Sequence, residues 1–440
     1  MKLVALAVIF STIMFNLAPA QAEQRTVAVP GPDAPALAAP GPFRIGVRTL
    51  TLVDPGQPDL MAADPKTGAV PLNERRLIID LWYPAKPAPG APGAVYSAAF
   101  SGEPPHPPVA FTVPGLAVRN APPTGRGYPL VIVSHGYGND PAAMTWLTEN
   151  LASKGYVVAG IHHQDPNPYV DGPVASAAPS LRRPLDIVFT ARELQVRLGA
   201  LIDPARTALI GYSMGGYGVI TAGGASLDPA GPAMRLVPGD WLRRYARGAP
   251  KAAELRVAGL KAIVAMAPAG NGPVSAWGPA GLAAISAPVL LIQGDSDPVV
   301  DYITGGRAIF AGLKNSDRYL LTYRHAGHAV GLNPAPPEMR RSMWDLDWFE
   351  DPVWRPDRID AINLHFITAF LDRYVRGDVS RAAYLDVAVV ASDDGVWPDA
   401  GPYAAFSPGT GTVTVWKGFQ RRHVRGLELR HAAAGQDAPR

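Results

Sequence analysis

Leu209-Ile210-Gly211-Tyr212-Ser213-Met214-Gly215-Gly216 runs from a short apolar stretch, through a G-x-S-x-G pentapeptide, into small residues that suit a helix. The pattern predicts a serine held out on a tight strand-to-helix turn, where its hydroxyl can act as a nucleophile. Gly211 and Gly215 fit because the flanking backbones of such a turn pass too close for a Cβ. The pentapeptide also occurs in ordinary Gly-rich loops. The reading therefore depends on finding a base, a carboxylate and oxyanion donors elsewhere in the chain.

Short apolar runs alternate with longer amphipathic ones on both sides of that turn. Residues 129–134 (PLVIVS), 156–161 (YVVAGI), 207–212 (TALIGY), 261–267 (KAIVAMA), 288–293 (PVLLIQ) and 319–323 (YLLTY) read as strands. Continuous apolar character is what parallel strands covered on both faces require. Residues 142–154, 183–201 and 360–376 read as helices. The alternation predicts an α/β fold with a mostly parallel, doubly wound sheet and helices on both faces. An earlier strand is expected at 76–83, ending at Pro84, and a small β-rich appendage at the C-terminus. Insertions at 228–250 and 333–354 break the rhythm, and insertions beyond the carboxyl ends of strands tend to shape a pocket.

The 440 residues are 48 % hydrophobic, ample for a core, and contain no cysteine, so no disulfide or lipid-modified cysteine is available. Lys2 precedes an apolar run over 3–15, and Ala20-Gln21-Ala22 is a small-x-small cleavage site. These predict a signal peptide over 1–22, cleavage near Ala22, and a periplasmic or secreted protein without a stable membrane anchor. The Pro-rich stretch within 23–42 reads as an exposed leader, 43–380 as the catalytic domain, and 381–440 as a C-terminal extension. Forty Lys and Arg against 37 Asp and Glu give +3, too small a charge to indicate nucleic acid. Lys417, Arg421, Arg422, Arg425 and Arg430 form one basic concentration, read as a solvated surface.

The other strand ends hold the remaining machinery. His328, in His325-Ala326-Gly327-His328 after the last strand, is the expected base, because Gly327 permits the turn that presents it; His325 is the alternative. Asp297, in Gly294-Asp295-Ser296-Asp297-Pro298, is the expected carboxylate. Asp295 reads instead as a turn residue bonding its own backbone. The oxyanion donors are expected to be the Met214 amide and, from Ser134-His135-Gly136-Tyr137-Gly138, the Tyr137 amide, with His135 in a structural role. Trp344, Trp348 and Trp354 line an apolar pocket or pack beneath the helix at 360. His162-His163-Gln164-Asp165 has the look of metal ligands, but neighbours after a strand diverge and no second cluster completes a set, so neither metal nor cofactor is expected.

Taken together, YPLVIVSHGYG, LASKGYVVAGIHHQD, GYSMGG, PVLLIQGDSDPV and HAGH resemble the exported bacterial α/β-hydrolases grouped with predicted dienelactone hydrolases and platelet-activating-factor acetylhydrolase-like enzymes. The order Ser213, Asp297, His328 is the order of that fold. The resemblance covers roughly 76–378 and implies a Ser-His-Asp carboxylic ester hydrolase acting on a small-molecule or lipid-like ester without cofactor. True dienelactone hydrolases use a cysteine nucleophile, which this chain lacks. The chain is also similar to cutinases and polyester hydrolases, whose loops place Tyr and Met amides at the positions of Tyr137 and Met214. Those enzymes carry an Ala, Gly or Pro-containing turn where this chain has His135-Gly136, so a small ester is preferred to a bulky polymer. Lactone or amide hydrolysis is the alternative within enzymes, and a non-catalytic binding protein on the same fold the alternative outside them.

Overall fold

The apolar runs become strands in a computed structural model, which describes residues 30–438 except 65 and 402–406. The strands are β1 (Ile45–Pro58), β2 (Leu72–Pro84), β3 (Val95–Phe100), β4 (Val109–Pro114), β5 (Val118–Arg119), β6 (Tyr128–Ser134), β7 (Val157–His162), β8 (Ile202–Tyr212), β9 (Leu260–Met266), β10 (Val289–Gly294), β11 (Arg318–Tyr323) and β12 (Leu427–Ala432). Ten form one sheet in the order β12-β11-β10-β9-β8-β6-β7-β2-β1-β5, while β3 and β4 make a separate hairpin. The run from β7 through β11 is parallel, and β6 and β8 lie at the centre of the whole sheet. β2 and β1 add antiparallel strands at one side, and β12 closes the other.

Alternate residues of each parallel strand feed opposite cores, because successive side chains point to opposite faces. Val131, Val133, Ile210, Val264, Ile292 and Leu321 pack beneath the helices Thr145–Ser153 and Pro356–Tyr374. Leu130, Ile132, Leu209, Ile263 and Leu291 pack beneath Pro179–Arg197 and Met214–Ala222. Each such side chain contributes about 1.5–3 kcal/mol relative to exposure, so a strand buried on both faces is strongly held. This is an α/β-hydrolase fold.

One helix starts earlier than its sequence suggests. Pro184 fits a first turn, but the helix spans Pro179–Arg197 with Pro184 inside it. Proline has no N–H to offer the carbonyl four residues back, which belongs to Ser180. The Tyr217 hydroxyl donates to that carbonyl at 2.7 Å and fills the gap.

The flanking segments differ from expectation in instructive ways. From Pro30 the chain lies against the domain rather than projecting as a leader. Ala38 is fully buried, its carbonyl accepts from Asn150, and Leu37 bonds His365 and Lys154. The signal peptide expected over 1–22 lies outside the described residues. The 228–250 insertion packs Trp241, Leu242 and Tyr245 into the core and away from the serine. The C-terminal segment places β12 in the main sheet. Its basic residues are largely paired locally, Arg421 with Asp399, Arg425 with Asp393 and Arg430 with Glu428. Among the described residues no helix is long and apolar enough to cross a membrane.

Candidate active site

Ser213 sits between β8 and the helix Met214–Ala222 with φ 53° and ψ −116°. A non-glycine residue in that region carries about 1–3 kcal/mol of strain, sustained only when the surroundings over-determine it. Here they do: the Ser213 amide donates to the Met266 carbonyl at 2.8 Å, and its carbonyl accepts from Tyr217 and Ala269, each at 3.1 Å. A Cβ on Gly211 would stand 2.8 Å from the Gly216 nitrogen, and one on Gly215 2.7 Å from the His135 carbonyl oxygen. Both glycines are required by close approach.

His328 Nε2 lies 3.0 Å from Ser213 Oγ, and His328 Nδ1 lies 2.8 Å from Asp297 Oδ2. The Asp297 side chain is fully buried, and its other oxygen accepts the Val299 and Val300 amides at 2.8 and 2.9 Å. Those bonds fix the carboxylate and leave Oδ2 for the imidazole. The Tyr212 hydroxyl donates to the His328 carbonyl at 3.1 Å, tying the histidine loop to the residue before the serine.

The rejected neighbours have other duties. His325 is exposed with φ 62°, and its amide donates to Asp295 Oδ1 at 2.6 Å. Asp295 thus bridges two strand-end loops, where a bond to its own backbone was expected. Tyr137 lines the same cavity as Ser213, Met214 follows the serine at the start of the helix, and neither backbone amide bonds a protein acceptor among the described residues.

A cavity of about 240 Å³ opens over Ser213 and His328, lined by Phe100, Tyr137, Tyr169, Leu332, Trp344 and Trp348. A second, of about 340 Å³, lies across His328 and shares Val299, Trp344 and Trp348 with the first. His106, between β3 and β4, stacks on Trp344 at 4.4 Å. Trp354 does not line either cavity. It is buried, donates to the Arg324 carbonyl at 2.8 Å and packs edge-on against Tyr323. A third cavity, of about 270 Å³ beside Phe43 and Trp146, has a serine, Ser153, but no histidine in its lining.

Asp351 was not found by sequence reasoning. Its carboxylate accepts the Gly327 amide at 2.6 Å and the Val353 and Trp354 amides at 2.9 and 2.7 Å. The only signal for it is an Asp-Pro pair inside a Trp-rich insertion.

The His162-His163-Gln164-Asp165 run forms ionic scaffolding. His162 bonds Asp140 at 2.8 Å and Asp80 at 3.0 Å. Burial alone would depress its pKa, but the two carboxylates more than offset this and raise it to about 9. His163 bonds Asp186 at 2.8 Å through Nδ1 and Ser134 Oγ at 2.8 Å through Nε2. Arg75 holds the far side of Asp186 at 2.6 Å. Asp165 pairs with Arg183, whose guanidinium reaches Ser134 Oγ at 3.1 Å and the carbonyls of His135 and Gly136 at 2.5 and 3.0 Å. Burial, reinforced by the Arg183 charge, holds the pKa of His135 and of His163 well below the usual histidine range.

A family model described as PET hydrolase-like, PETase, matches residues 118–235, from β5 past the serine helix. Cutinase est1 of Thermobifida alba is 36 % identical over 99 residues, 22 % of this chain and 31 % of that one. Cutinase 2 of Thermobifida cellulosilytica is 37 % identical over 99 residues, 22 % and 36 % of the two chains. The chain thus spans about a third of the length of these curated relatives. A ferulic acid esterase structure from Streptomyces cinnamoneus aligns at a TM-score of 0.48 and 21 % identity, over 78 % of this chain and 93 % of that one. The sheet order and the serine turn are those of the α/β-hydrolase fold, and the similarity to the PET hydrolase-like model and the cutinases is confined to the part of the chain around the serine.

Proposed function

We propose that the protein is a serine hydrolase of carboxylic esters. The observation that carries this is the chain of contacts from Ser213 Oγ through His328 to Asp297, at 3.0 and 2.8 Å, on a strained strand-to-helix turn. His328 takes the Ser213 proton as Oγ attacks the ester carbonyl, and the resulting charge on the carbonyl oxygen is met by the amides of Tyr137 and Met214. Asp297 accepts from Nδ1 and stabilises the imidazolium. His328 then protonates the leaving alcohol, and in the second half it takes a proton from water, which attacks the acyl-enzyme and regenerates Ser213.

The cavity beside the serine has a small apolar acyl group as its natural guest, seated against Phe100, Trp344 and Trp348. The similarity over 118–235 favours a second reading, hydrolysis of a polyester surface. Substrate chemistry separates the two: acyl esters of graded length should show a defined optimum if the cavity receives a small acyl group, whereas release of soluble monomers from a polyester film would support the second. Ser213→Ala should abolish p-nitrophenyl ester hydrolysis without unfolding the protein, and retained turnover would overturn the assignment. The N-terminal reading completes the proposal as an exported enzyme beginning near Glu23, which N-terminal sequencing of the mature protein from culture checks.

A further inference from the structure

We infer that Arg183 is a positioning residue for the oxyanion hole. The inference rests on the ester-hydrolase reading and extends it to a residue outside the cavity. Arg183 is fully buried on the helix Pro179–Arg197. It comes close to the serine helix because Gly218 faces it, where an added Cβ would already stand 3.3 Å from the Arg183 Cβ.

One peptide unit links Arg183 to the oxyanion donor. The Gly136 carbonyl and the Tyr137 amide belong to the same planar group, and in a trans peptide they point in opposite directions. The carbonyl is held from below twice, by Arg183 Nη2 at 3.0 Å and by His135 Nδ1 at 2.7 Å. Fixing the oxygen fixes the direction of the N–H, which then faces the side where Gly136, Tyr137 and Ser213 line the cavity. A cation on the oxygen also polarises the amide and makes its N–H a stronger donor.

Arg183 is itself held. Asp165 pairs with its outer edge, and Ser134 Oγ accepts from Nη1 while donating to His163, which Asp186 and Arg75 orient. The Tyr137 hydroxyl anchors the other end of the residue on the Pro166 carbonyl at 2.5 Å. The loop is therefore preorganised before any charge develops, which is what makes such donors effective.

The test pairs turnover with a transition-state analogue. Removing an oxyanion donor costs about 100- to 1000-fold in kcat, so losing its support in Arg183→Met should cost about 10- to 100-fold, with KM nearly unchanged. The inhibition constant of a trifluoromethyl ketone, whose hemiketal oxygen occupies the hole, should rise by a similar factor. Arg183→Lys, able to hold one carbonyl, should fall between the variant and the parent. A merely structural role would lower the active fraction, and hence kcat, without moving that inhibition constant. That outcome, or a folded Arg183→Met with both quantities within about threefold of the parent, would overturn the inference. Should Arg183→Met not fold, Asp165→Asn tests the same point, with a smaller parallel change in both readouts expected and no change overturning it. Hydrolysis insensitive to Ser213→Ala defeats the underlying enzyme reading instead.

Discussion

The Asp351 carboxylate accepts the Gly327 amide at 2.6 Å, one residue before His328. The insertion that carries Asp351 thereby clamps the loop that presents the proposed base. Asp351→Ala leaves three amides without their acceptor, which should destabilise the fold by about 1–3 kcal/mol in urea unfolding. Because small displacements of reacting groups are costly, kcat should fall by about tenfold, and more than KM changes.

Gly215→Ala should be far more damaging than an ordinary helix substitution. Its Cβ would meet the backbone of Ser134 and His135, which cannot swing aside as a side chain would. Moving that loop displaces the Tyr137 amide, so esterase activity should drop by about 100-fold or more in whatever protein folds. Near-parental kcat with a parental melting temperature would contradict this.

The three tryptophans of the 333–354 insertion should separate by phenotype. Trp344→Ala and Trp348→Ala enlarge the cavity, and the preferred acyl chain should lengthen by several carbons with little change in stability. Trp354→Ala empties a buried site under Tyr323 and should cost about 3–5 kcal/mol while leaving the acyl preference where it was. Acyl-length profiles and thermal melts on the three variants check both.

His162 makes stability depend on pH. Its folded pKa, about 9, lies above its ordinary value of 6.5, so the folded protein binds the proton more tightly than the unfolded chain. The stabilisation is fully present below about pH 6.5 and is lost as pH rises through 9, on the order of 3 kcal/mol in all. Lys154 works in the opposite sense, because burial lowers its pKa to about 7. The measurement is therefore the difference in unfolding free energy between the parent and His162→Gln, which should shrink between pH 6.5 and 9.

Much of this was legible because catalysis in this fold sits at strand ends. Apolar runs mark the strands, and Ser213, Asp297 and His328 lie one, three and five residues beyond the ends of β8, β10 and β11, so local sequence locates them. The scaffolding was not legible. His162 and His163 look like ligands in the chain, but their partners Asp80, Asp140 and Asp186 come from three separate segments. The helix expected from residue 183 begins at Pro179, and the Tyr217 hydroxyl that takes the place of the missing Pro184 amide at the Ser180 carbonyl belongs to a different helix. Trp354 differs from Trp344 and Trp348 only in which wall it meets, and sequence spacing does not encode that.

The pairing of β12 with β11 bears on how the protein is produced. The resemblance to hydrolases runs out near residue 378, which makes that a tempting place to end an expression clone. Such a truncation would strip β12 from β11, leaving a row of unsatisfied amides and carbonyls beside the strand that leads to His328. Exposed strand edges of that kind recruit other chains. A shortened protein would be expected to precipitate, and poor yield from it would say nothing about Ser213, Asp297 or His328.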